Sequence, residues 1–125
     1  MEEKQLQAAV YSLDRHKATD LLALRVAELS TVADYFLLAS GSGATQVRAL
    51  ADYLEEELAR EGLTPSHIEG YDSGSWILLD YGDMIVHIFR EETRAFYDLE
   101  RLWTDASRVD IEAYKVPQER NDDNQ

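Results

Sequence analysis

Trp76-Ile77-Leu78-Leu79-Asp80-Tyr81-Gly82-Asp83-Met84-Ile85-Val86-His87-Ile88-Phe89 is where the architecture of this chain is written most clearly. Gly82-Asp83 sits between two apolar runs, the pattern of a hairpin closed by a two-residue turn. That turn pairs Tyr81 with Met84, Asp80 with Ile85, Leu79 with Val86, Leu78 with His87, Ile77 with Ile88 and Trp76 with Phe89. Side chains alternate across a sheet, so the hairpin has two distinct faces. One holds Ile77, Leu79, Tyr81, Met84, Val86 and Ile88, and suits packing beneath helices. The other holds Trp76, Leu78, Asp80, Ile85, His87 and Phe89. There a large aromatic pair stands among an acid and an imidazole that are diagonal neighbours on the ladder, the mixture found at binding hot spots. The competing reading is that Trp76 and Phe89 are core aromatics and that Asp80 ties His87 as a structural histidine. A one-residue slip in register would exchange the faces.

Upstream, Leu6, Val10 and Leu13 form the stripe of a short amphipathic helix. Residues 20–29 then alternate as a half-buried strand, with Leu22, Leu24 and Val26 on one side and Ala23, Arg25 and Ala27 on the other. Residues 33–40 are apolar on both faces after Asp34, as expected of a strand covered from both sides. Gly41-Ser42-Gly43 ends that strand, and Ser42 is the expected N-cap of a helix. Val47, Leu50, Ala51, Leu54 and Leu58 give this helix its buried stripe, and Gly62 and Pro65 stop it. Asp72-Ser73-Gly74 marks a further hairpin. Downstream of Phe89, a Thr93 cap is expected to introduce a last helix carrying Phe96, Leu99, Leu102, Trp103 and Ala106, with Trp103 in the core.

The elements add up to an α/β single domain, a mixed sheet of about five strands with about three helices. Five strands span roughly 24 Å, whereas one helix covers about 10 Å. Three helices therefore leave apolar sheet surface bare, available to a partner or a second copy. The domain is expected to span residues 1–110, followed by an acidic tail at 111–125. Its final run, beyond Pro117, lacks apolar residues and reads as disordered.

Composition narrows the function. The chain has 125 residues with 25 Asp plus Glu against 12 Lys plus Arg, a formal net charge of −13. Such a field opposes phosphate backbones, which disfavours direct DNA or RNA binding and favours a basic partner. With no Cys there is no disulfide framework, thiolate metal site or Cys nucleophile. No segment approaches the length of a membrane span or reads as a secretory leader, so a soluble, cytoplasmic protein is expected.

Catalytic patterns are weak. Gly41-Ser42-Gly43 could offer amides to a phosphate, but the P-loop lysine and the longer dinucleotide fingerprint are missing. The three histidines, at positions 16, 67 and 87, have no metal-ligand spacing. No Ser stands in a nucleophile elbow. No catalytic residue, metal ligand or cofactor site is assigned.

Taken together, Asp34-Tyr35-Phe36, Ser40-Gly41-Ser42 with Gln46-Val47, Glu69-Gly70, the Trp76 to Phe89 run and Arg94-Ala95-Phe96-Tyr97-Asp98-Leu99-Glu100-Arg101-Leu102-Trp103 resemble the ribosomal silencing factor (Iojap-like) family. The resemblance runs from about residue 4 to residue 106. It implies a nucleotidyltransferase-like fold without that superfamily's catalytic motif, since only Asp52-Tyr53-Leu54 follows the Gly41-Ser42 turn where an Asp-x-Asp strand would stand. It also implies binding to large-subunit ribosomal protein fourteen, on the face of the large ribosomal subunit that meets the small one. Translation is then repressed because the subunits cannot join. Homodimers are implied for the free protein. Carried onto this chain, the contact run falls on residues 76–84, with Trp76, Leu78 and Asp80 first and Tyr81 and Met84 second. The alternatives are a degenerate nucleotidyltransferase or nucleotide-binding module, and a plain homodimeric scaffold.

Overall fold

The computed structural model describes residues 3–29 and 31–115. In chain order the elements are α1 (Glu3–Arg15), β1 (Thr19–Arg25), β2 (Tyr35–Gly41), α2 (Ala44–Ala59), β3 (His67–Glu69), β4 (Trp76–Asp80), β5 (Met84–Arg90), α3 (Glu91–Tyr97), α4 (Leu99–Leu102) and β6 (Ser107–Val109). A 3-10 turn at Glu112–Tyr114 follows. The six strands form one mixed sheet in the order β3-β4-β5-β2-β1-β6. Only β2 and β5 run parallel; the remaining neighbours are antiparallel.

The hairpin forms with the register read from its turn: Trp76 pairs Phe89, Ile77 pairs Ile88, Leu78 pairs His87, Leu79 pairs Val86 and Asp80 pairs Ile85. Gly82 takes φ 89, a left-handed angle that suits glycine at the first turn position. The Tyr81 N–H donates to the Met84 carbonyl across it at 2.8 Å.

The sheet separates two apolar layers of unequal depth. On one side Leu6, Ala9, Val10 and Leu13 of α1 and Val47, Leu50, Ala51, Leu54 and Leu58 of α2 pack onto Ile77, Leu79, Met84, Val86 and Ile88. The other side is a smaller cluster of Leu24, Val26, Ala33, Phe36, Leu38, Ile85 and Phe89, covered by Leu99, Trp103 and Ala106. Strand β2, buried along its whole length, contributes to both layers.

Several expectations are corrected. A sixth strand, β6, pairs with β1 at the sheet edge; three residues are too few to display a strand period. The cap of α2 is Gly43, not Ser42. The Ser42 N–H and hydroxyl instead donate to Gln46 Oε1 at 2.6 and 3.0 Å. The last helix starts at Glu91 rather than at Thr93 and breaks at Asp98, whose φ of 50 is left-handed. The expected domain boundary at 110 cuts an ordered stretch, because Ile111 is buried in the larger core and the turn after it packs against α1. The run beyond Pro117 lies outside the described residues.

Candidate functional site

Strand β4 alternates between half-buried and buried positions, with Trp76, Leu78 and Asp80 facing the thinly covered side. Its neighbour β5 is buried throughout except at Arg90. The mixed face is thus divided: Phe89, Ile85 and His87 are core, while Trp76, Leu78 and Asp80 keep surface. The competing reading was correct for Phe89, which has no exposed surface.

The indole of Trp76 lies in an aromatic enclosure. Its centroid is 4.9 Å from the Phe89 ring, 5.1 Å from Tyr97 and 5.9 Å from His87. The Trp76 Nε1–H donates to His87 Nδ1 at 3.1 Å. His87 is 4% exposed, and burial pushes its imidazole down from 6.5 to about 4, so the ring is neutral. An Nδ1 that accepts leaves the proton of a neutral ring on Nε2. That buried Nε2 has no partner among the described residues.

Asp80 does not tie His87. Its Oδ1 accepts the Gly82 N–H at 2.8 Å and closes the hairpin turn. A carboxylate two residues from an amide reaches it with little loss of chain freedom, so the local bond prevails over the cross-strand one. Tyr81 packs against the helix-side core, its hydroxyl buried without a partner among the described residues. Burial, reinforced by Glu55, drives that phenol well above its ordinary range. Met84 is wholly buried in the same core. A residue without surface offers nothing to a partner, which corrects the expectation of Met84 as a contact.

Beside Trp76, α3 and α4 present an exposed group, of which Phe96 and Leu102 lie on the expected stripe. Phe96 is 79% exposed, Leu102 75% and Tyr97 54%. The left-handed turn at Asp98 rotates the chain after α3, so Leu99, Trp103 and Ala106 of the expected stripe reach the core while Phe96 and Leu102 do not. Trp103 packs edge-on against Phe36 at 5.1 Å.

Buried Arg94 fastens this helical corner. Its Nη1 donates to the Asp20 carbonyl at 2.5 Å and to Ser40 Oγ at 2.9 Å. Its Nε and Nη2 donate to Glu100 Oε2 at 3.2 and 3.0 Å. One guanidinium therefore joins α3, α4 and the ends of β1 and β2. Among the described residues no group of three His, Cys, Asp or Glu is placed to hold a metal, and no helix is long and apolar enough to cross a membrane.

A family model, ribosomal silencing factor during starvation, matches residues 1–125. The ribosomal silencing factor RsfS of Halalkalibacterium halodurans is 40% identical over 107 residues, 86% of this chain and 92% of that protein. The RsfS of Bacillus subtilis is 38% identical, over 86% of this chain and 91% of its own. Among solved structures, a Chromobacterium violaceum protein superposes with TM-score 0.80 at 32% identity, covering 83% of this chain and 88% of that one. A Bacillus halodurans protein gives 0.78 at 36% identity, covering 87% and 99%. Sequence, fold and the tryptophan-bearing hairpin agree: this chain belongs to the ribosomal silencing factor family, whose name describes regulators acting at the ribosome rather than enzymes.

Proposed function

We propose that this protein represses translation in the cytoplasm by docking on large-subunit ribosomal protein fourteen and physically excluding the small ribosomal subunit. The observation that carries the reading is the half-exposed row Trp76, Leu78 and Asp80 on β4, continuous with exposed Phe96 and Tyr97 on α3. Exposed apolar side chains grouped beside one another suit a docking surface, and a tryptophan part-set in an aromatic enclosure is a common anchor of one. Tyr81, at the hairpin end, packs on the opposite, helix-covered face and stands apart from this row. The net charge of −13 suits a basic ribosomal protein and opposes rRNA, so contact is to protein. The action needs no reaction and no cofactor, only bulk placed where the other subunit must land.

The test is co-sedimentation with isolated large subunits, and binding to purified protein fourteen. Saturable binding to both supports the reading; failure to bind either contradicts it. Titration with nucleotides and Mg²⁺ is expected to leave the melting temperature unchanged, because a true nucleotide site would raise it by mass action. In the absence of ribosomes, the same family likeness supports a homodimer, read by sedimentation at several concentrations.

A further inference from the structure

His87 carries a feature that the packing of the sheet does not require. Its neighbours on β5 are Ile85, Val86, Ile88 and Phe89, and an aliphatic side chain would fill its place without leaving a buried donor unmet. The imidazole instead leaves Nε2 without a partner among the described residues. Buried polar groups without partners are rare, and each calls for a reason. Here the other nitrogen supplies it: Nδ1 accepts the Trp76 indole N–H at 3.1 Å. Trp76 stands diagonal to His87, because its direct pair is Phe89 and that of His87 is Leu78. The Phe36 ring meets His87 edge-on at 5.0 Å and the Phe89 ring lies near-parallel to it at 6.1 Å.

The indole N–H is a donor only and the sole polar atom of its side chain. Without an acceptor beneath it, a half-buried indole must turn that edge toward water. We propose that His87 is a positioning residue that fixes the Trp76 indole with its N–H edge inward, so that the docking surface offers a partner only hydrocarbon at this point. This rests on the docking role of Trp76 proposed above and names the chemistry of what receives it. The receiving pocket is apolar, built from aliphatic or aromatic side chains, with no acceptor for the indole. Burial, which keeps the imidazole neutral, preserves Nδ1 as an acceptor across the ordinary pH range.

The test measures affinity for isolated large subunits of the full chain carrying Trp76→Ala, His87→Leu, His87→Gln, or Trp76→Ala with His87→Leu. Trp76→Ala is expected to weaken binding about thirtyfold and His87→Leu about tenfold. His87→Gln, whose amide oxygen can accept the indole N–H, should stay within about threefold of the unsubstituted protein. The double variant should be no weaker than Trp76→Ala alone, since His87 acts through the indole. If Trp76→Ala weakens binding but His87→Leu folds and binds normally, the positioning role is overturned and the docking reading stands. If Trp76→Ala binds normally, both fall. Should His87→Leu not fold, exchange of the Trp76 indole N–H in the unsubstituted protein decides. Slow exchange supports the bond to His87, and exchange at the rate of a solvent-facing indole overturns it.

Discussion

At Trp76 the two regimes of the fold meet in one side chain, its polar atom bonded inward to His87 and part of its ring left to solvent. Truncation to Ala is expected to cost about 2 kcal/mol of binding, the thirtyfold loss given above, because it removes an anchor from an otherwise intact surface. His87 adds a pH dependence of stability. Its imidazole titrates near 6.5 when unfolded and near 4 when folded. Between those values the unfolded chain binds more protons, so stability is complete above about pH 6.5 and declines as pH falls towards 4. The whole shift corresponds to about 3 kcal/mol. Denaturant midpoints measured across this window are expected to fall with pH in the unsubstituted protein and to fall less in His87→Gln. Equal slopes would contradict a buried neutral imidazole. The sequence revealed which residues share this face, since period two fixes that. It did not reveal that Asp80 would close its own turn and leave His87 to the indole, because both are diagonal neighbours of His87 and only the geometry of the turn decides between them.

The hairpin and the helical corner differ as elements in what their sequences disclose. A two-residue turn imposes the register: five of the six expected pairs form in the ladder, and the sixth, Tyr81 with Met84, is joined by one backbone hydrogen bond. The corner of α3 and α4 is set by Asp98 in the left-handed region and by Arg94 bonded to groups 74 and 54 positions away in sequence, and no local pattern announces such partners. Arg94→Ala should lower stability by about 2 kcal/mol, since it strips the Asp20 carbonyl, Ser40 and Glu100 of a shared donor. Amide hydrogen exchange should quicken first in α3 and α4. Exchange that quickens uniformly instead would mean that Arg94 does not fasten this corner. The loop before β4 makes a comparable demand. Gly70 has φ 84, and a Cβ there would lie 2.0 Å from the Trp76 carbonyl oxygen. Gly70→Ala should therefore cost at least about 2 kcal/mol, read from its unfolding midpoint; an unchanged midpoint would show that the loop yields freely.

Across the whole molecule, two long helices cover one side of the sheet and two short ones cover part of the other. The count of elements anticipated this imbalance, because three helices cannot cover both faces of such a sheet. It could not say where the bare surface would lie. Phe96 and Leu102, read as core from their spacing, turned out to be surface, while Phe89 and Met84 turned out to be core. The resulting patch lies on a strongly acidic body, which couples apolar adhesion to electrostatic approach. Added salt should slow association with purified protein fourteen and change dissociation little. The most direct measurement is the rate at which purified large and small ribosomal subunits join when the large subunit has first been saturated with this protein. Joining should be suppressed, and Trp76→Ala should require about thirtyfold more protein for the same effect. Joining at an unchanged rate with the protein in excess would contradict steric exclusion.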